Sequence, residues 1–236
     1  MIVETMTWEE VGREIAFDFK ESDIAARGCK RVVANGNKYR RAYGNRTGLH
    51  IFTPFSIKTK RNNTFFILPI ADNKKSLKLQ GPTISIFIFF RLKVGACFAV
   101  VSPSNNIEIY HSHLIDRHKQ RFSNEEQYQS DEFRNYAMEF VVHNFNGTIA
   151  KQPNSKYGED AVYERCSEGT LLGHRLSQNL YVFKTYLNDE QLRGEQIEIS
   201  DRLEDKRALV QKEYNETLHD SKLKDNYKLL KELYKK

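Results

Sequence analysis

Ile107-Glu-Ile-Tyr-His-Ser-His-Leu-Ile-Asp-Arg-His-Lys-Gln-Arg-Phe122 is the stretch on which the reading of this chain turns. It begins with apolar alternation, the signature of a strand, and passes into a helix-like run. It holds three of the seven histidines, His111, His113 and His118, together with Arg117 and Arg121. If a helix starts near Ser112, then His113, Arg117 and Arg121 follow at spacing four and share one face. Three cationic or cationisable side chains on one stripe repel each other, and a helix tolerates this where an anion sits. If the strand instead runs on through His113, then His111 and His113 share a sheet face. Either way the junction presents imidazole and guanidinium together.

Upstream, residues 49–57, 64–70, 76–79, 83–92, 96–101 and 107–110 are β-branched or aromatic runs that read as strands. Arg61-Asn-Asn, Asp72-Asn, Gln80-Gly-Pro and Pro103-Ser-Asn-Asn separate them as turns. An antiparallel meander is the economical arrangement, with the doubly apolar run 83–90 as a central strand. Further upstream, Thr7-Trp-Glu-Glu10 has the form of a capping box and predicts a helix over 8–21, with Val11, Ile15 and Phe19 on one stripe. A second helical run covers 23–33, and Asn35-Gly-Asn breaks it.

Downstream, Ser123-Asn-Glu-Glu126 repeats the capping-box form and predicts a helix over 124–143. Phe133, Tyr136, Ala137, Phe140 and Val141 form its buried face. Short strands follow at 148–151, 161–166, 170–175 and 180–187, with Ser167-Glu-Gly169 as a hairpin turn. All five prolines lie between residues 54 and 153, so both ends read helical. From 188 to 236 two or three helices are expected, with Leu223, Tyr227, Leu230 and Tyr234 at helical spacing. They would pack on the body or on a second copy, which would make a homo-oligomer. The expected class is α+β: antiparallel sheet, N-terminal helices and a helical C-terminal tail, in segments 1–106, 107–187 and 188–236.

Charge is unevenly distributed. Residues 24–107 carry fifteen basic side chains and one acidic, Asp72, whereas residues 1–23 carry two basic and seven acidic. Such a block calls for a polyanion, and nucleic acid is the commonest. Lys38, Arg40, Arg41, Arg46, Lys58, Lys60 and Arg61 are the expected phosphate contacts, with tyrosines interleaved among the first of them for base stacking. Three widely spaced cysteines, Cys29, Cys97 and Cys166, make no disulfide framework and fit a reduced, cytoplasmic compartment. The acidic start lacks a basic-then-apolar signal peptide. The most apolar run is broken by Arg91 and Lys93 and falls short of the about 20 residues a membrane helix needs, so no membrane partner is expected. The chain has no P-loop, Gly-x-Gly-x-x-Gly, zinc ribbon or Gly-x-Ser-x-Gly motif, and no cofactor is expected.

The His/Arg composition suits cleavage of RNA at its own 2′-hydroxyl. That reaction needs a base for the hydroxyl proton, a cation for the charge on the phosphorane and an acid for the leaving 5′-oxygen. Histidine serves as either proton carrier near neutral pH, and arginine matches phosphate oxygens in pairs. His113 is the expected base or acid, Arg117 and Arg121 the phosphate holders, and His111 or His143 the second proton carrier. Tyr163, Arg165, His174, Lys184, Thr185 and Tyr186 are available from the later strands to complete the site.

His113-x3-Arg117-x3-Arg121 on a helix, followed by a helix and an antiparallel meander, resembles the small metal-independent ribonucleases of the barnase, EndoU, colicin and RelE-like toxin group. The resemblance covers about 111–187. It implies an α+β ribonuclease domain, a site centred on His113 and Arg117 with Arg121 beside them, and a late strand, here Phe183-Lys-Thr-Tyr186, that adds a Thr such as Thr185 or a Tyr. A toxin-like role would imply an inhibitor protein as a partner. The long basic β region and the helical tail are not part of that minimal fold.

Two other classes remain open. His111-x-His113 with Asp116 and His118 has a metal-ligand composition and looks like the His-x-His-x-Asp-His motif of metallo-β-lactamase-type hydrolases, departing from its spacing at two places. A metal-dependent hydrolase using His111, His113 and His118 is therefore an alternative. In the other, the chain is a non-enzymatic nucleic-acid-binding or phage-type accessory protein whose histidines do no chemistry.

Overall fold

The computed structural model describes residues 1–102, 105–122, 132–144, 148–151, 156 and 158–219. Among them the fold is α+β: helices at the N-terminal end, a mixed and mostly antiparallel sheet, and a long helix towards the C-terminal end. Two compact units divide the chain, one formed by Met1–Phe17 with Phe87–Gln211, the other built on Asp18–Ile86.

α1 (Trp8–Glu21) starts where the capping box places it. Thr7 N donates to Glu10 Oε2 at 2.8 Å, and Glu10 N donates back to Thr7 Oγ1 at 3.3 Å, so two orphan amides of the first turn are satisfied. Val11, Ile15 and Phe19 are all buried. α2 (Ile24–Ala34) and α3 (Gly36–Tyr43) follow, so the basic, tyrosine-bearing segment is helical. Asn35 ends one helix and starts the next. The buried Tyr43 closes α3 by donating its hydroxyl to the Gly48 carbonyl at 2.6 Å.

β1 (His50–Ile51) and β2 (Phe55–Lys58) both pair antiparallel with β3 (Thr64–Ala71). The β2–β3 turn is stapled from α1: the buried Asp18 accepts from Thr59 Oγ1 at 2.6 Å and from Asn63 Nδ2 at 2.7 Å. Residues 76–79, read above as a strand, belong to a helix, α4 (Lys74–Leu79). Asn73 decides it: its side chain accepts from Ser76 N at 2.9 Å, a helix N-cap that turns the chain before a strand can extend.

β4 (Thr83–Leu92) runs from the smaller unit into the larger and is buried on both faces from Ser85 to Ile88. β5 (Gly95–Val101), β6 (Ile107–His111), α5 (Ser112–Phe122), α6 (Phe133–Asn144), β7 (Thr148–Lys151), β8 (Ala161–Arg165), β9 (Thr170–Ser177) and β10 (Leu180–Leu187) complete the sheet and the helices on it. The strand order here is β4-β5-β6-β10-β9-β8-β7. β6 and β10 are parallel, with Ile109 opposite Val182, which a pure meander does not foresee. The chain leaves β6 as the α5–α6 pair and comes back through the antiparallel strands β7 to β10. Its last strand re-enters beside β6 in the same direction, as a crossover requires.

The two faces of this sheet are covered differently. Tyr110 stacks between Phe98 and Phe183, with ring centroids 4.8 and 5.5 Å away, and α6 packs Phe140 onto it. On the other face Ala161, Tyr163 and Leu172 meet Ile199 and Leu203 of α7 (Glu195–His219). Arg165 ties that helix down through Glu204, at 3.0 Å, and also binds Asp189 in the 3-10 turn that precedes it. The expected boundary at 106/107 falls between the paired strands β5 and β6, inside the larger unit. Past the 3-10 turn Asp189–Gln191, the described part of the tail is one helix, α7. The predicted start of the second capping-box helix at 123–131, and Leu223, Tyr227, Leu230 and Tyr234, lie outside the described residues.

Candidate functional site

Strand β6 stops at His111 and helix α5 begins at Ser112, so the helical stripe is the one that forms. His111 is the residue before the helix, and its ring has two structural tasks. Nδ1 accepts the His113 backbone N–H at 3.0 Å, capping the first turn, while Nε2–H donates to the Val94 carbonyl at 2.8 Å. Both nitrogens are engaged, and the tautomer is fixed by the donor on one side and the acceptor on the other. Accepting a proton from a substrate would break the cap.

His113 and Arg117 stand exposed one turn apart, and Arg117 Nε donates to His113 Nε2 at 3.4 Å. Arg121 continues the stripe but is partly buried. Its Nη1 donates to the Tyr186 carbonyl at 2.6 Å, and the guanidinium lies 5.4 Å from the Tyr186 ring centroid. Burial lowers the Arg121 pKa; Tyr186 opposes the shift and the charge of Arg117 adds to it.

The opposite side of α5 explains why the stripe points outward. Leu114, Ile115 and His118 have no exposed surface. His118 Nε2 lies 2.7 Å from Glu168 Oε2 and Nδ1 lies 2.9 Å from the Tyr136 hydroxyl. Asn144 Nδ2 donates to the same Glu168 oxygen at 2.6 Å, and Tyr186 donates its hydroxyl to the Glu168 carbonyl. This network joins α5, α6, the β8–β9 turn and β10 around one imidazole. From the sequence Glu168 is expected only as a turn residue and Tyr136 only as part of a buried helix face. The available signal was the position of His118 four residues after Leu114, on the buried stripe, where an imidazole needs partners.

Asp116 is exposed, and among the described residues no three His, Cys, Asp or Glu side chains are grouped as metal ligands. His118 and His111 have both ring nitrogens occupied by protein groups, so the His111/His113/His118 set does not converge. His143 is half-buried on α6, between Val142 and Asn144 and one turn after Phe140.

The later strands divide the remaining candidates. Tyr186 faces α5, but Thr185, beside it in β10, faces the other way and pairs with Leu172. There Tyr163, Leu172, His174, Lys184 and Thr185 line a pocket of about 300 Å3 on the α7 side of the sheet. Arg165 is bound by Asp189 and Glu204. The structure therefore keeps His113, Arg117 and Arg121 together and separates Thr185, His174 and Lys184 from them.

The face of the sheet that carries Tyr110 and Tyr186 also holds two carboxylates, the half-buried Glu108 and the buried Glu164. Tyr110 donates to Glu108 Oε2 at 2.9 Å, while Glu164 Oε2 has no partner. Burial raises both pKa values, and the charge of Glu108 raises that of Glu164 further.

In the smaller unit, Lys38, Arg40 and Arg41 on α3, Arg46 after it, Lys58 on β2 and Lys60 and Arg61 in the following turn are all exposed. Residues 18–86 carry fourteen basic side chains against four acidic, and one of those four, Asp18, is consumed inside the turn staple. Among the described residues no helix is long and apolar enough to cross a membrane. No family model, no curated protein and no solved structure matches the chain.

Proposed function

We propose that the chain is a metal-independent endoribonuclease whose site is the exposed face of α5. The observation that carries the reading is the His113–Arg117 pair, held one turn apart at 3.4 Å on a helix whose other side is anchored by His118. A phosphate arriving at Arg117 draws the guanidinium off His113 Nε2, because a doubly hydrogen-bonded phosphate is the better partner. The freed nitrogen accepts the 2′-hydroxyl proton, and the 2′-oxygen attacks phosphorus. Arg117 and Arg121 neutralise the phosphorane, and the 5′-oxygen leaves with a proton from solvent, giving a 2′,3′-cyclic phosphate and a 5′-hydroxyl. With His111 committed to the cap, His113 is the one imidazole of the stripe with room for substrate. The order of elements, two helices and then a four-strand antiparallel meander, supports the likeness to the small ribonuclease toxins. If the role is toxin-like, an acidic inhibitor protein would cover this face.

The test is cleavage of a mixed RNA by purified protein, with and without a chelator, beside His113→Ala. Activity that survives the chelator and falls by roughly a hundredfold or more in the variant supports the reading. Activity abolished by the chelator would sink it.

A second reading rests on the smaller unit. Its exposed cations on α3, β2 and the β2–β3 turn would hold a nucleic acid with no chemistry at α5. In that case RNA or DNA is retained in a salt-dependent way, and His113→Ala binds as the wild type does.

A further inference from the structure

We propose that the pocket on the α7 side of β8–β10 is a second site, which binds a phosphomonoester carrying a flat ring, of mononucleotide size. The proposal is independent of the ribonuclease reading, since the pocket and the α5 stripe lie on opposite faces of the sheet. Its chemistry comes from four side chains. His174, Lys184, Thr185 and the buried Tyr163 all line the space, and among the described residues none of their side chains is seen to hydrogen-bond to the protein. A few polar groups that converge on one pocket can fix the orientation of a ligand there.

The backbone places them deliberately. Between Phe183 and Thr185 the β9–β10 register shifts, so that one residue of β10, Lys184, is extra. A bulge of this kind re-aims side chains, and it brings Lys184 and Thr185 to the same opening. Gly173 sits opposite the shift, where an added Cβ would meet the Val182 carbonyl at 2.2 Å. Lys184 and Thr185 are thus neighbouring donors suited to a tetrahedral anion. Tyr163 and Leu172, which share the α7 face with Thr185, supply an apolar wall for a flat group. A volume of about 300 Å3 is at the small end for ligand pockets and selects a compact ligand. Burial, and then the charge of Lys184, lowers the His174 pKa, with Asp160 acting in the opposite sense. A second positive charge at His174 is therefore favoured once an anion has entered.

The experiment is titration of the full chain with AMP and with adenosine, followed by calorimetry and by thermal shift, in the wild type and in Lys184→Ala, Thr185→Val and His113→Ala. Expected are AMP binding, adenosine at least tenfold weaker, and a loss of at least tenfold for AMP in Lys184→Ala and Thr185→Val. His113→Ala should bind AMP as the wild type does, which separates this site from the one on α5. Lys184 is exposed, so its variant should keep the unliganded melting temperature and fold normally. The proposal is overturned if millimolar AMP leaves the wild type unchanged, if adenosine binds equally well, or if Lys184→Ala keeps wild-type affinity.

Discussion

His118 Nε2 and Glu168 Oε2 meet at 2.7 Å, with the imidazole completely enclosed and the partners fifty positions apart in the chain. Removing either side takes one hydrogen-bond partner from a buried polar group of the other, and such a loss costs about 1–3 kcal/mol. His118→Ala should lower the urea-unfolding free energy by that order. Glu168→Gln should cost less, because an amide still accepts from the ring. A loss under about 1 kcal/mol for His118→Ala would show that the network does not anchor α5.

How much of this was legible beforehand depends on the reach of each signal. α1, β4, β7 and β10 fall where periodicity and capping residues place them, because a capping box or a doubly apolar run acts within a few residues. The stripe His113, Arg117, Arg121 was legible for the same reason. Long-range facts were not. Nothing local to β6 says that β10 will lie parallel beside it. Nothing local to Ser167-Glu-Gly169 says that its carboxylate will meet His118. Strand alternation tells which residues share a face, and not which helix covers that face, so it does not part Thr185 from the α5 stripe. The Val94 partner that commits His111 to the cap is remote in sequence.

His111→Ala should cost about 1 kcal/mol, as loss of a helix N-cap does. His111→Asn, whose side-chain oxygen accepts the same amide, should recover most of it in thermal melts. RNA cleavage should suffer far less in either variant than the roughly hundredfold loss that follows removal of a proton carrier. A collapse of activity in His111→Asn with stability intact would return His111 to the chemistry.

Glu164 gives a pH signature. Its folded pKa is raised, first by burial and then by Glu108, so the folded state keeps this proton where the unfolded chain has released it. The stability it contributes is present below the unfolded value and is lost as pH rises through the folded one. Glu164→Gln stays neutral throughout. It should match the wild type near about pH 4, where a free glutamate also begins to take up its proton, and exceed it increasingly towards alkaline pH. Melting curves across that range decide: a difference that does not grow with pH would mean that Glu164 ionises freely in the fold.

The cations of the smaller unit separate binding from chemistry. Lys38, Arg40 and Arg41 are exposed on α3 and belong to a region with fourteen basic residues and four acidic ones. If they contact phosphates, each contact removed should take about one unit off the slope of log affinity against log salt. The triple change of Lys38, Arg40 and Arg41 to Ala should therefore flatten the slope by up to about three units and weaken all RNA sequences alike. Under saturating RNA the turnover at α5 should stay close to wild type, because the chemistry is assigned to the other compact unit. His113→Ala should do the reverse, keeping the slope and losing turnover. A triple variant with an unchanged salt slope would locate the polyanion contacts elsewhere, and one with normal binding but no turnover would contradict the assignment of chemistry to α5.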